Sequence, residues 1–282
     1  MRDPTPCEGC PRDLGLDQGH AAPVGVRVRH RFTGLRPLTR GWVLGQGVGR
    51  EVIRHDTHLA ERIAGIALGA DLSLEALMVL HIEKPGALAA PAVAVSLRGT
   101  EGSAGGALVA RALPPASWIL RRSRPEVGFE SVEVTLPWLA SSVAGVNVRG
   151  LAAALAVGVG PDDAGSTAPL LVQECLQRFE HLDAALDWCL KRPVSGTGCV
   201  ILSDASGESA AVEIGAVYRR VRRPAEGILV AGDGSERAAH VRKALGLGRD
   251  LEAALGPCVS LDPAAHSLAI LRDGSARVDV CA

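Results

Sequence analysis

The sequence predicts an α+β fold in which helices pack on mostly antiparallel sheets. The order of its parts indicates this class, because two helices, a β block, two helices and another β block follow one another. Glycine-containing turns separate consecutive strands, as hairpins require. No internal repeat or low-complexity linker divides the 282 residues, so one domain over 1–282 is expected, with a helical segment 1–86 before a sheet-rich core 87–282.

The expected helices follow from apolar spacing and from capping residues. Between Asp56 and Leu68, apolar side chains recur on one face, and Ser73 can cap a second helix over Leu74–Ile82. Similar spacing predicts helices over Pro169–Phe179, Leu182–Lys191 and Ser235–Leu245.

The expected strands are short, apolar and bounded by turn residues. In the first β block they cover Ala92–Ser96, Ala107–Arg111, Ser131–Leu136, Ser142–Val148 and Leu151–Val159. In the second they cover Gly198–Ser203, Ala210–Ile214, Val217–Arg222, Gly227–Ala231, Ser267–Leu271 and Arg277–Cys281. The first two strands and the last two should each form a hairpin, and the arginine-rich strand near position 220 should lie at a sheet edge.

Charge and composition exclude several classes of partner. The 30 basic and 31 acidic residues give a net charge of -1, so nucleic acid and membrane surfaces are not expected partners. The longest apolar runs have about ten residues, half of what a membrane-spanning helix needs. The first ten residues do not have the apolar stretch of a secretory signal, so a cytoplasmic location is expected. Seven cysteines, an odd number, do not look like a disulfide framework, so reduced thiols are expected. The abundance of Ala, Val, Leu and Gly is typical of a GC-rich bacterial gene.

Four segments, taken in order, resemble the isopenicillin-N acyltransferase family of N-terminal-nucleophile (Ntn) hydrolases. Asp13–His20 is similar to the family's E-x-G-x-x-x-G opening turn, and Leu59–Leu77 to its helix pair before the nucleophile. Two later segments are also similar to the family: Gly145–Ala152, and Cys199–Glu213 with its strand, D-A-S-G-E turn and strand. The resemblance covers nearly the whole chain. It implies a four-layer αββα fold and, in active members, a cysteine that self-cleavage exposes for amide hydrolysis or acyl transfer.

The sequence departs from this family at the nucleophile. Aligning the strands places the family's cysteine at Ala90, and no residue of the window 89–92 has a nucleophilic atom. The family's R-N-x-D motif reads Arg111-Ala-Leu-Pro here, so its aspartate is lost, and the T-N-H asparagine falls near Asp233. Thr100 lies in a predicted hairpin turn and Ser96 has even less context, so neither is expected to replace the cysteine.

Three positions still match the family. They are Arg111, Arg237 and Asn147, and the resemblance places an oxyanion donor at Asn147. With Asp233 they would line a cleft in a degenerate, non-autoprocessing protein, whose two arginines favour a carboxylate or phosphate group. The expected ligand is a small acyl, amide or carboxylate compound, in a bacterial biosynthetic pathway. His81, at the end of a predicted helix, could contact a polar ligand group or simply be a packed histidine.

Other functions stay open at this point. The chain could be an amide hydrolase or acyltransferase whose nucleophile is engineered away or replaced, or a purely structural subunit. A homodimer and a complex with a pathway partner protein are equally open. The sequence therefore does not decide whether the chain is an enzyme.

The cysteines suggest one cofactor. Cys7 and Cys10 form a C-x-x-C pair that can bind a metal ion or close a redox disulfide. No paired second half-site follows, and the strand-to-helix context of a thioredoxin-like motif is not expected here, so an incidental structural pair is the alternative. Cys175, Cys189 and Cys199 lie within apolar periods and are expected to be small core residues.

Overall fold

The computed structural model describes residues 3–21, 52–82, 93–98, 107–156, 168–194, 197–215, 218–231, 236–247, 250–271 and 280–281. Its helices are α1 (Pro11–Ala21), α2 (Thr57–Gly69), α3 (Leu74–Ile82), α4 (Ala168–Arg178), α5 (Leu182–Lys191), α6 (Glu236–Gly246) and α7 (Leu251–Leu255). Strands β1–β7 are Thr5–Gly9, Ala94–Arg98, Ala107–Ala112, Ile119–Pro125, Ser131–Thr135, Ala144–Asn147 and Leu151–Leu155. Strands β8–β14 are Gly198–Asp204, Ser209–Ile214, Arg219–Arg222, Ile228–Ala231, Cys258–Asp262, Ser267–Leu271 and Val280–Cys281.

The strands form two sheets that pack face to face. The eight-stranded sheet has the order β1-β4-β5-β6-β7-β8-β9-β10, and the six-stranded sheet has the order β11-β2-β3-β12-β13-β14. Every described strand pair is antiparallel except β1 with β4. Across the interface β3 contacts β7 and β8, and β2 contacts β8. Helices α4 and α5 cover the eight-stranded sheet, and α6 and α7 cover the other. The predicted α+β class and αββα sandwich are therefore confirmed.

The side-chain alternation along β2 places its residues in two different cores. Ala94 belongs to the main apolar cluster between the sheets, whereas Val93 and Val95 pack with Val241 and Leu245 of α6. This period of two is what a strand buried on both faces requires. It also fixes which neighbouring side chains point between the sheets.

Glycines on both helices, Gly15 and Gly19 of α1 and Gly65 and Gly69 of α2, bring α1 and α2 into direct backbone contact. A Cβ atom at Gly15 would lie 2.1 Å from the carbonyl oxygen of Arg62, and one at Gly65 would lie 2.0 Å from that of Arg12. The glycines of the predicted opening turn, Asp13–His20, thus serve a helix crossing. The expectation of a turn there is wrong, because the segment is the body of α1.

No helix in the described ranges is long and apolar enough to span a membrane. The arginine-rich strand β10 lies at one edge of the eight-stranded sheet, as predicted. The expected terminal hairpin is present as the antiparallel pair β13 and β14. The single-domain boundary stays a prediction.

Candidate ligand-binding site

Arg111 is a fully buried cation between the two sheets. It pairs in register with Ala94 of β2 and Val259 of β12, both members of the core between the sheets. Its Nε donates to the carbonyl oxygen of Leu155 in the opposite sheet at 2.7 Å, and its Nη1 donates to Ala112 at 3.0 Å. The guanidinium carbon lies 5.4 Å from the centroid of the Trp118 ring, so the cation is held in place from three sides.

One end of this guanidinium is unused. Nη2 of Arg111 has no hydrogen-bond partner among the described residues, and no described carboxylate pairs with the group. Burial lowers the pKa of Arg111 to about 9, which leaves it charged at neutral pH. An unneutralised buried cation with a free N–H is costly, and a carboxylate is the group that best satisfies it.

Ser96 is a second buried polar side chain without a partner on the same sheet face. It is 1% exposed, and its Oγ makes no hydrogen bond with the described residues. Ser96 pairs with Val109 while Arg111 pairs with Ala94, so the two polar residues face each other diagonally across β2 and β3. Diagonal neighbours of this kind have Cβ atoms roughly 7 Å apart, so the two side chains share one patch of the sheet face. The sequence alone indicates no role for Ser96, because only the strand register reveals its relation to Arg111.

Asn147 lies on the other side of the eight-stranded sheet. Its Nδ2 donates to the carbonyl oxygens of Leu176 and Phe179, each at 2.8 Å, at the end of α4. Its Oδ1 accepts from the backbone N–H groups of Arg149 and Leu151 at 3.0 and 2.9 Å. The amide thus caps a helix and shapes the turn between β6 and β7, and the structure does not bring it to Arg111. A role as oxyanion donor stays a prediction, and it would require some of these bonds to break.

The other predicted cleft residues cannot be placed. Ala90 and Asp233 lie outside the described residues, as does the whole window 89–92. Arg237 is in the first turn of α6, but its side chain also lies outside the described part. Their roles stay predictions.

His81 is a packed, neutral histidine that joins α3 to the loop after β5. The backbone N–H of Ala140 donates to Nε2 at 3.1 Å, so Nδ1 carries the proton and donates to the Leu77 carbonyl oxygen at 2.9 Å. The ring meets Trp138 edge-on, with 5.5 Å between centroids. Burial lowers the pKa of His81 to about 4. With both nitrogens engaged, the geometry favours the packed histidine over a ligand contact.

This histidine should make stability depend on pH. Its folded-state pKa lies below the ordinary 6.5, so its contribution is complete above pH 6.5 and is lost as the pH falls towards 4. His81→Gln removes the titration and keeps a hydrogen-bonding amide. We expect the wild-type protein to lose about 2 kcal/mol more than this variant between pH 7.5 and 4.5 in urea unfolding. Equal losses in the two proteins would contradict this assignment.

Cys7 and Cys10 flank a strand-to-helix junction, because β1 ends at Gly9 and α1 begins at Pro11. The expectation that this context is missing is therefore wrong. Burial raises the pKa of the Cys7 thiol to about 11, and the Cys10 thiol donates to Asp13 Oδ2 at 3.0 Å. Neither cysteine is bridged. Within the described ranges, no three His, Cys, Asp or Glu residues cluster as a metal site requires, and a metal at this pair stays a prediction.

A buried ion pair lies beneath α1 and α4 on the outer face of the eight-stranded sheet. Arg121 of β4 donates from Nε to Glu133 of β5 at 2.7 Å and from Nη2 to Gln173 at 2.7 Å. Gln173 donates in turn to the second carboxylate oxygen at 2.9 Å, and Gln18 of α1 accepts from Arg121. All four side chains are fully buried. Polar residues alternate with valines along β5, as Ser131, Glu133 and Thr135, and this is the one sequence signal that points to a buried polar network; the run of polar residues in β4 gives none.

The carboxylate of Glu133 balances more than one cation. Arg62 of α2 is 1% exposed, donates from Nη2 to Ser123 at 3.0 Å, and has two nitrogens without described partners. Burial alone would raise the pKa of Glu133, but Arg121 and Arg62 outweigh it and hold that pKa below its usual value. Glu133 is thus the anion on which two buried arginines depend.

Comparisons with known proteins give structural likenesses only. No protein-family model matches the chain, and no curated protein matches its sequence. The Caenorhabditis elegans ortholog of N-acylethanolamine-hydrolyzing acid amidase is 11% identical, with a TM-score of 0.49 over 65% of this chain and 95% of its own. Penicillin V acylase from Agrobacterium tumefaciens is 21% identical, with a TM-score of 0.37 over 55% of this chain and 57% of its own.

A third similar structure is a mutant of conjugated bile acid hydrolase from Clostridium perfringens. It is 11% identical, with a TM-score of 0.46 over 67% of this chain and 92% of its own. These neighbours are Ntn-hydrolase-fold acylases and amidases, the superfamily that the sequence resemblance implied. With TM-scores below 0.5, the likenesses do not establish what this chain does.

Proposed function

We propose that this chain is a catalytically degenerate member of the isopenicillin-N acyltransferase family that does not process itself and binds a small acyl or amide compound through a carboxylate. The observation that carries the proposal is the Arg111 cation, buried between the sheets with no carboxylate and no partner for its Nη2 among the described residues. The four-layer architecture supports the resemblance to this fold. The alanines at 89, 90 and 92 support the loss of the nucleophile, because none of them has a nucleophilic atom. A bacterial, cytoplasmic setting in biosynthesis belongs to the same proposal, and the six cysteines with described side chains, all unbridged, agree with it.

Arg111 and Ser96 have complementary roles in this binding mode. One carboxylate oxygen accepts from Nη2 of Arg111, and the second accepts from the hydroxyl of Ser96. Ala94 and Val109, on the same sheet face, offer apolar contact to the acyl part of the ligand. Both polar groups are buried away from water, so a carboxylate gains charge-assisted hydrogen bonds without displacing any ion pair that the described residues make.

The binding test uses straight-chain carboxylates from acetate to octanoate in isothermal titration calorimetry. We expect at least one of them to bind, with its Kd raised about tenfold or more in Arg111→Gln and about threefold to tenfold in Ser96→Ala. Arg98→Gln is the matched control, because Arg98 is an exposed arginine on the same strand as Ser96 and should leave Kd unchanged. Thermal unfolding of each variant checks that it is folded. No binding to the wild type, or equal binding by Arg111→Gln, would refute the proposed site.

The intact mass of the protein tests separately whether the chain cleaves itself. A single chain of 29.2 kDa is expected from freshly purified protein. Two fragments from a cut near position 90 would show active self-processing.

One observation favours the alternative, an amide hydrolase or acyltransferase with a replaced nucleophile. The Cys10 thiol donates to the carboxylate of Asp13 in the first turn of α1, which places a potential nucleophile in a defined polar contact. Hydrolysis of a chromogenic amide that disappears in Cys10→Ser would favour this function, with or without a metal at Cys7 and Cys10.

A further inference from the structure

We propose that Cys175 and Cys189 form an oxidation site at which a disulfide links α4 to α5. Their sulfur atoms lie 3.5 Å apart, and both residues are fully buried. The site lies in the outer helical layer and is independent of the function proposed for Arg111. The sequence predicts only that both are small core residues, because their contact depends on how the two helices pack.

The close packing around the pair selects one oxidation product. A sulfenic acid adds an oxygen atom, and a mixed disulfide adds a whole second molecule, in a space with no exposed surface. An intramolecular disulfide adds no atom and removes two hydrogens. The sulfur atoms are already in contact, so modest side-chain rotation brings them to bonding distance.

The reaction is balanced with a low-molecular-weight disulfide as the oxidant. The thiolate of one cysteine attacks a sulfur of the oxidant, and one reduced thiol leaves. The second cysteine then attacks the mixed disulfide, and a second reduced thiol leaves as the Cys175–Cys189 bond forms. Two electrons pass from the pair to the oxidant, and the two thiol protons end on the leaving thiols.

The closed structure slows the first step. The hydrogen bond with Cys189, burial and the neighbouring Glu174 carboxylate all raise the pKa of Cys175 well above its ordinary value. Glu174 itself contacts His58 and forms an ion pair with Arg178. The thiolate therefore forms when α4 and α5 separate locally, and the rate of oxidation should follow that opening.

The cross-link would stiffen the helical cover of the eight-stranded sheet. The end of α4 is already attached to β6 through Asn147, and the backbone oxygen of Cys189 accepts from Arg219 of the edge strand β10 at 2.5 Å. The disulfide would join these two attachments into one connected unit. The cross-link would restrict the unfolded chain between positions 175 and 189, so the oxidised protein should unfold about 5 °C above the reduced protein.

The test is to incubate the full chain with oxidised glutathione and to map its disulfides by peptide mass spectrometry. We expect a Cys175–Cys189 cross-link, a mass loss of two hydrogens in the linked pair of peptides and the rise in Tm. All three should be absent from Cys175→Ala and Cys189→Ala and present in Cys199→Ala, whose removed thiol is another buried core cysteine.

A second arm keeps the test decisive if the closed protein reacts too slowly. The same incubation in sub-denaturing urea opens the helix pair, and the cross-link should then form faster. Glutathione adducts on the separate cysteines, or free thiols under both conditions, would overturn the proposal. A cross-link with no change in Tm would overturn its stiffening effect.

Discussion

Glu133→Gln is expected to lower the free energy of unfolding by about 3–5 kcal/mol. The substitution keeps the shape of the side chain but removes the negative charge that Arg121 and Arg62 share beneath α1 and α4. Two guanidinium groups would then remain buried without a described counter-charge. The measurement is urea unfolding at pH 7, followed by circular dichroism.

Glu130→Gln is the matched control, because Glu130 is a carboxylate near the same strand that pairs with Arg122 and Arg124 close to the surface. Its loss should cost about 1 kcal/mol or less, since solvent screens such pairs. If the two variants were equally stable, Glu133 would not be the anion that holds the buried network together. Because the Glu133 carboxyl is stabilised in its charged form, that support should also weaken as the pH falls through its lowered pKa.

Gly65→Ala is expected to have the second largest effect, a loss of about 2–3 kcal/mol. The new Cβ would lie 2.0 Å from the backbone oxygen of Arg12, and a backbone atom cannot rotate away as a side chain can. Helix α1 must therefore move from α2. That movement would strain β1, which immediately precedes α1 and pairs with β4 at the sheet edge. Alanine's better helix propensity offsets only about 1 kcal/mol.

Gly246→Ala provides the comparison for this prediction. Gly246 is also a helical glycine, but no atom lies within 4 Å of the position its Cβ would take. Its substitution should leave stability unchanged or raise it by about 0.5–1 kcal/mol. Thermal unfolding of the two alanine variants side by side separates the close helix contact from any general effect of removing a glycine.

The helices with regular apolar spacing could be predicted from the sequence almost to the residue. Helices α3 and α5 have the expected bounds, and Ser73 caps α3 by accepting from the backbone N–H of Ala76 at 3.1 Å. Such signals are local, because capping and periodicity act within a few residues. The β2–β3 hairpin was predictable for the same reason.

Strands β1, β4 and β12 and helix α7 were not expected. Strand β4 contains Arg121, Arg122 and Arg124, a pattern that indicates an exposed segment until its partners are known. Arg121 is buried only because Glu133, Gln18 and Gln173 arrive from distant parts of the chain. Long-range pairing of this kind leaves no periodic apolar signal.

The candidate site was predictable only in part. The family motif pointed to Arg111, but its partner Ser96 depends on the register of β2 against β3. Asn147 matched the motif and yet its amide points into the helical layer. A motif identifies a residue's position along a strand, whereas the face it occupies depends on the sheet around it.

The parallel pairing of β1 with β4 changes what a proteolytic cut would produce. Residues 1–86 resemble a helical leader that maturation could discard, but β1 supplies an edge strand of the eight-stranded sheet, with Cys7 opposite Ser123. Gln18 of α1 also donates to three backbone oxygens around Leu136 and Leu139. A break near position 90 would therefore yield two polypeptides that stay assembled as a heterodimer and separate only on denaturation.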